Sequence, residues 1–159
     1  MFNQQAYQGS IDTKYNLVIK QLHALLDGEK DSIANLSNAC ALLNQFLTDV
    51  NWVGFYLLKE DELVLGPFQG LPACVRIPLG RGVCGTAAQK METLLIDDVH
   101  AFPGHIACDA ASRSEIVIPI KKDGRLIGVL DIDSPSLNRF TQEDKKHLEA
   151  FVEELERHL

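Results

Sequence analysis

Three thiols and three carboxylates are the residues of this chain most able to do chemistry. Cys74, Cys84 and Cys108 are separated by 10 and 24 positions. A cysteine can serve as packing residue, metal ligand, nucleophile or half of a disulfide. No Cys-x-x-Cys pair occurs, so a structural zinc site lacks its usual signature; His105-x-x-Cys108, with His100 nearby, keeps zinc open as a lesser reading. Thiol redox chemistry suits the pattern better. Cys84 falls at a predicted helix start, where the partial positive charge favours thiolate. Cys108 lies in a long loop and Cys74 just after Pro72, so all three sit at element edges, where access is expected. Cys40 instead joins an apolar helical stripe and reads as a small core residue.

The carboxylates are Glu115, Asp131 and Asp133. In Val129-Leu130-Asp131-Ile132-Asp133 the acids alternate with apolar residues, so both aspartates share one face of a strand. That face is either a solvated surface or a site. Asp123-Gly124 is a strong hairpin signal joining this strand to the one led by Glu115. A plain two-residue turn pairs 122 with 125 and 115 with 132, which sends Glu115 to the opposite face from the aspartates. A three-residue turn or a single bulge brings all three together. A shared site would raise at least one carboxyl pKa and keep a proton donor at neutral pH, while an ionised neighbour could hold an ammonium group.

These residues need elements to position them. Apolar residues at helical spacing predict helices over Asp12–Asp27, stopped by Gly28, and Ser32–Leu47. Strands follow at Trp52–Leu58, Leu63–Phe68 and Cys74–Ile77, then a short helix at Gly82–Lys90 and a strand at Thr93–Ile96. A long loop, Asp97–Ser114, carries Cys108; loops of that length in a compact domain are usually functional. The hairpin strands are Ile116–Lys122 and Leu126–Ser134. Thr141-x-x-Asp144 opens a last helix with the stripe Leu148, Phe151, Val152, Leu155 and Leu159. The order predicts an α+β domain with helices packed on a mainly antiparallel sheet.

Length and charge bound the rest. The 159 residues suit one domain with a full core. A net charge of −7 argues against a nucleic-acid partner. Met1 to Gly9 has neither a basic start nor an apolar h-region, and no apolar run reaches membrane-span length. A soluble, cytoplasmic protein is expected. Gly80-Arg81-Gly82-Val83-Cys84-Gly85 fits G-x-G-x-x-G by letter, but it stands in a hairpin-rich chain without a parallel βαβ unit. Tight-turn glycines leading into a helix are the better reading.

Taken together, "NWVGFYLL", "GLPACVRIPLGRGVCGTAAQ", "DVHAFPGHIACDAASRSEIVIPI" and "GVLDIDSP" closely resemble the GAF-domain free methionine-(R)-sulfoxide reductases, over about residues 15 to 155 of a chain read as a single GAF domain from 1 to 159. The resemblance implies reduction of the R epimer of free methionine sulfoxide, with thioredoxin as reductant, no cofactor and no metal. It implies Cys108 as nucleophile, Cys74 as resolving thiol and Cys84 as an additional or alternative one. It implies Glu115, Asp131 and Asp133 as pocket carboxylates that protonate the sulfoxide oxygen or bind the ammonium group. Trp52 and Tyr56 would wall the methyl-sulfoxide end, and backbone N–H groups of the Cys84 and Asp109–Arg113 segments would take the substrate carboxylate. A homodimer with helices at its interface is also implied. The competing reading is a non-catalytic GAF ligand or thiol redox sensor. A sensor is expected to be fused to an effector, and none follows the last predicted helix, which favours the enzyme.

Overall fold

The computed structural model describes residues 2–159; Met1, the first residue of the stretch read above for a leader, lies outside them. Helix α1 spans Ile11–Leu26 and α2 Ser32–Phe46. Ser10 and Asp31 cap them, each side chain accepting from a backbone N–H three residues on, Thr13 and Ala34. Such caps satisfy donors that the first helical turn leaves without partners. The strands are β1 (Trp52–Lys59), β2 (Glu62–Gln69) and β3 (Arg76–Pro78), then α3 (Gly82–Lys90), β4 (Leu94–Ile96), β5 (Ser114–Lys122) and β6 (Arg125–Ser134). Helix α4 (Gln142–Glu156) closes the order, with Thr141 and Asp144 forming a reciprocal capping box. Leu159 lies past the end of α4 but still packs against the core.

The six strands form one antiparallel sheet in the order β3-β2-β1-β6-β5-β4. The α+β expectation holds. Two boundaries moved. Cys74 precedes β3 rather than opening it, and β5 begins at Ser114, which places Glu115 inside the strand.

Strand alternation splits the sheet into two faces. Val53 and Phe55 of β1, Ile116, Ile118 and Ile120 of β5, and Leu130 and Ile132 of β6 face α1, α2 and α4. There they meet Leu22, Leu26, Leu43, Leu148 and Phe151, each fully buried. Burying such a side chain contributes about 1.5–3 kcal/mol, so this face carries most of the fold's stability. Cys40 is buried in it, its thiol donating to the Val53 carbonyl at 3.0 Å and pushed up to about 12 by burial. That is an inert packing cysteine, as expected.

The opposite face is smaller and packs against α3. Trp52, Tyr56, Val117 and Val129 meet Val83, Cys84 and Ala87 there. The glycines before α3 follow from close approach. Gly80 and Gly82 have φ of +80° and +62°, and a Cβ on Gly85 would stand 2.4 Å from the Pro78 carbonyl oxygen. With every strand pair antiparallel, there is among the described residues no parallel βαβ unit to use them as a dinucleotide loop. Among the described residues no helix is long and apolar enough to cross a membrane.

Candidate active site

The β5–β6 hairpin decides where the acids go. Lys122 pairs with Arg125 and Lys121 with Leu126, as a two-residue turn requires, but Ile120 pairs with Gly128. Ile127 is an extra residue on β6, a single β-bulge. The register above it is shifted by one, so Glu115 pairs with Asp133 rather than with Ile132. Of the two arrangements left open by the sequence, the bulged one is present, and Glu115, Asp131 and Asp133 share the α3 face.

The register also aligns what surrounds them. Asp133 stands between Trp52 on β1 and Glu115 on β5, and Asp131 between Gly54 and Val117. Gly54 is needed there: a Cβ on it would fall 2.6 Å from the Trp52 ring and 2.4 Å from Phe68 Cβ. The Trp52 ring stacks between Phe68 and Tyr56, with centroid separations of 5.3 and 5.9 Å. An aromatic wall thus rises beside the carboxylates, and both residues anticipated as pocket walls line the cleft.

Glu115 and Asp131 are only 5% and 6% exposed. Burial raises the Glu115 pKa well above the ordinary 4.5, reinforced by the charges of Asp131 and Asp133. Asp133 is likewise raised, by burial and then by Asp131 and Asp109. Burial lifts Asp131 to about 6, while hydrogen bonds from Glu115 and Cys84 pull the other way. Three carboxylates this close cannot all ionise, so the cluster retains a proton at neutral pH and can donate it. Asp131 Oδ1 is buried with no hydrogen-bond partner, an acceptor open to a donor from a bound molecule.

Cys84 lies below the acids, its Sγ 3.8 Å from Glu115 Oε1. It is 5% exposed, and burial together with the three carboxylates pushes its thiol well above 9.0. The expectation of an accessible, thiolate-prone Cys84 is therefore corrected. Helix α3 supplies only a partial positive charge, which three acids and a dry surrounding outweigh. Cys84, Glu115 and Asp131 also bring ligand atoms within 4.8 Å of one another, an arrangement that could hold an ion.

Cys74 and Cys108 are joined by a disulfide, with Cα atoms 5.6 Å apart. In this state Cys108 has no free sulfur for a His105-x-x-Cys108 metal pair. Cys84 and Cys40 are free. The Cys74 segment is held by its main chain and the Cys108 loop by its side chains. Tyr56 donates its hydroxyl to the Cys74 carbonyl at 2.9 Å, and Trp52 Nε1 to the Leu71 carbonyl at 3.1 Å. On the other side Asn51 Nδ2 donates to Asp109 Oδ2 at 2.9 Å and to Ser112 Oγ at 3.1 Å, while its backbone N–H reaches the Asp133 carbonyl. Asn51 thus ties the Cys108 loop to the acid-bearing strand. The sequence reading missed it; its place immediately before Trp52 was the available signal.

The cleft between these groups has an empty volume of about 520 Å³, open mouth included. Gly82, Val83 and Cys84 line it at the start of α3. Their N–H groups have no helical acceptor, and Arg81 at the N-cap supplies no side-chain cap, so these donors face the cleft without a partner from the helix. In the other expected segment the N–H groups of Ala111, Ser112 and Arg113 are already taken, by Asp109 Oδ1, the Asp109 carbonyl and the Ser134 carbonyl. The Asp109 and Ala110 N–H groups of that segment are not among those taken. One cleft brings together a disulfide cysteine, a carboxylate cluster, an aromatic wall and the N–H groups that open α3.

The GAF domain family model matches residues 21–159. The free methionine-R-sulfoxide reductase of Escherichia coli (strain K12) is 57% identical over 138 residues, 87% of this chain and 84% of that protein. An fRMsr of Staphylococcus aureus, in complex with substrate, is 54% identical with a TM-score of 0.89, covering 98% of this chain and 99% of the other. The free methionine-R-sulfoxide reductase of Neisseria meningitidis, in complex with its substrate, is 45% identical with a TM-score of 0.92, covering 99% and 95%. On sequence, fold and the extent of both, this chain belongs to the GAF-domain free methionine-R-sulfoxide reductase family.

Proposed function

We propose that the protein reduces free methionine-(R)-sulfoxide to methionine, with Cys108 as the nucleophile and the Cys74–Cys108 disulfide as the product state of one turnover. The observation that carries this reading is that disulfide, whose Cys108 lines a cleft shared with three carboxylates, two of them buried.

In the reduced enzyme the Cys108 thiolate attacks the sulfoxide sulfur. The oxygen is a poor leaving group until protonated, and Glu115, within the cluster that retains a proton, supplies it. The S–O bond breaks, methionine leaves and Cys108 becomes a sulfenic acid, the first rung of thiol oxidation. The Cys74 thiol then displaces the sulfenic hydroxyl as water and the disulfide forms. Methionine gains the two electrons that the two cysteines lose. Thioredoxin restores them by thiol–disulfide exchange, which suits a single unit working in the cytoplasm. Cys84 is the additional thiol of the site. While it stays neutral beneath the acids it resolves nothing, so any resolving role is secondary to that of Cys74.

Substrate choice follows from the polar groups. Asp133 and the unpartnered Asp131 Oδ1 accept from the substrate ammonium, and the first-turn N–H groups of α3 take its carboxylate. A peptide-linked methionine sulfoxide lacks both charges and leaves these groups unpaired, a costly loss. Trp52 and Tyr56 pack on the methyl end. The helix-covered face of the sheet leaves the outer surfaces of α1 and α4 for a homodimer.

The experiment is disulfide mapping after a single turnover. Reduced protein mixed with one equivalent of the R epimer should release about one equivalent of methionine and yield Cys74–Cys108 by mass spectrometry. Methionine release with Cys74 and Cys108 both still alkylatable, or with Cys84 in the bridge, would overturn the assignment of roles. A second reading, a sensor that binds without turnover, predicts no methionine.

A further inference from the structure

Resting on the thiol-dependent reading above, we propose that Leu71, Val75 and Ile106 form the docking surface for the protein dithiol that resets the enzyme, an exposed apolar surface beside the Cys74–Cys108 bridge. Six large hydrophobic side chains are exposed among the described residues, and three belong to this surface: Leu71 at 63%, Val75 at 64% and Ile106 at 36%. Leu71 and Val75 bracket Cys74 in sequence, and Ile106 precedes Cys108 by two positions. Because the two cysteine Cα atoms lie 5.6 Å apart, all three apolar residues stand within three positions of one end of the same bond.

The exposure is not the product of a loose loop. The Leu71 carbonyl accepts from Trp52, the Cys74 carbonyl from Tyr56 and the Val75 carbonyl from the Leu65 N–H at 2.9 Å. The main chain is fixed to the sheet on its inner side, which leaves the side chains of Leu71 and Val75 turned to water. Ile106 rests over Gly82 at the start of α3. Leu71-Pro72-Ala73-Cys74-Val75 and Ile106-Ala107-Cys108 hold no charged residue of their own, and Arg76 and Asp109 follow directly at their ends. Apolar surface held rigidly in solvent marks a contact site, and redox partners use contacts at the small end of the range.

The occupant is set by the bond at the centre. One thiolate of the partner attacks a sulfur of the bridge; the S–S bond breaks, a mixed disulfide forms and the other cysteine leaves as a thiolate that takes up a proton. The partner's second thiol then displaces the remaining cysteine and closes the partner's own disulfide. Two electrons and two protons pass to the enzyme, and the partner is oxidised. A mainly apolar surface fits a partner whose nucleophilic cysteine also sits in an apolar surround. A small dithiol needs no such surface.

Oxidised protein and its Val75→Glu variant are mixed with reduced thioredoxin or with dithiothreitol, and opening of the Cys74–Cys108 bridge is timed by alkylation and mass spectrometry. Val75 lies outside the cleft lining, and matched thermal melts check the fold of the variant. Expected is a loss of about tenfold or more in the thioredoxin rate, with the dithiothreitol rate within about twofold of the parent. Val75→Ala should lose less than Val75→Glu. An unchanged thioredoxin rate in Val75→Glu, or equal slowing with both reductants, overturns the proposal. The readout needs no sulfoxide, so a failure of the substrate assignment appears separately, as absent methionine release.

Discussion

The two faces of the sheet are built from the same strands and do opposite work. On the helix side, Ile116, Leu130 and Ile132 enter an apolar core in which Cys40 is inert and the Tyr15 hydroxyl donates to Asp144. One residue along each strand, Glu115, Asp131 and Asp133 enter an almost equally dry space that holds three carboxylates and a thiol. The first face gains stability from burial and the second gives some of it up. Alternation lets one hairpin serve both, and the Ile127 bulge sets which side chains go where.

If the division is right, substitutions on the two faces should separate activity from stability. Cys108→Ser should lower methionine release by about a thousandfold or more while leaving the melting temperature of the reduced protein nearly unchanged. Glu115→Gln should cost about 100- to 10,000-fold in kcat, the range of a positioned general acid, and abolish the alkaline limb of the pH–rate profile. On the helix face, Phe151→Ala should lose about 3–5 kcal/mol of stability in denaturant titration with kcat per folded molecule within about twofold. Equal losses of kcat and stability at both positions would dissolve the distinction.

A smaller effect concerns pH. Carboxyls held above their ordinary values are protonated in the fold but ionised in the unfolded chain. Their penalty is absent below the unfolded pKa, 3.8 for the aspartates and 4.5 for Glu115, and grows as pH climbs, for Asp131 up to about 6 and for Glu115 and Asp133 well above their ordinary values. Asp131→Asn should therefore stabilise the protein at pH 8 by about 1–3 kcal/mol and change little at pH 4, as differential scanning calorimetry at the two pH values would reveal. A gain of equal size at both would assign it to packing instead.

Much of the architecture could be read from local pattern. Caps, stripes and the Asp123-Gly124 turn each bear a short-range signature, and the helices and strands formed within a few residues of their expected limits. The hairpin register could not be read, because the flat turn and the bulged one leave the same local sequence at 121–126; only contacts at the far end of the strands distinguish them. Cys84 misled for a related reason. Its helix start is local and legible, whereas the acids that suppress its thiolate come from two distant strands. Asn51 was silent because a single amide at a strand edge resembles any turn residue until Asp109 and Ser112 are folded against it. Cys74 and Cys84 sit in equally suggestive surroundings, and the fold placed only Cys74 against Cys108.

The most direct test is a single-turnover measurement on fully reduced protein without reductant, using one equivalent of free methionine-(R)-sulfoxide, its S epimer or the N-acetylated R compound. The prediction is about one equivalent of methionine from the free R epimer alone, falling to none in Cys108→Ser. Comparable release from the N-acetylated compound, or release that survives Cys108→Ser, would contradict the account.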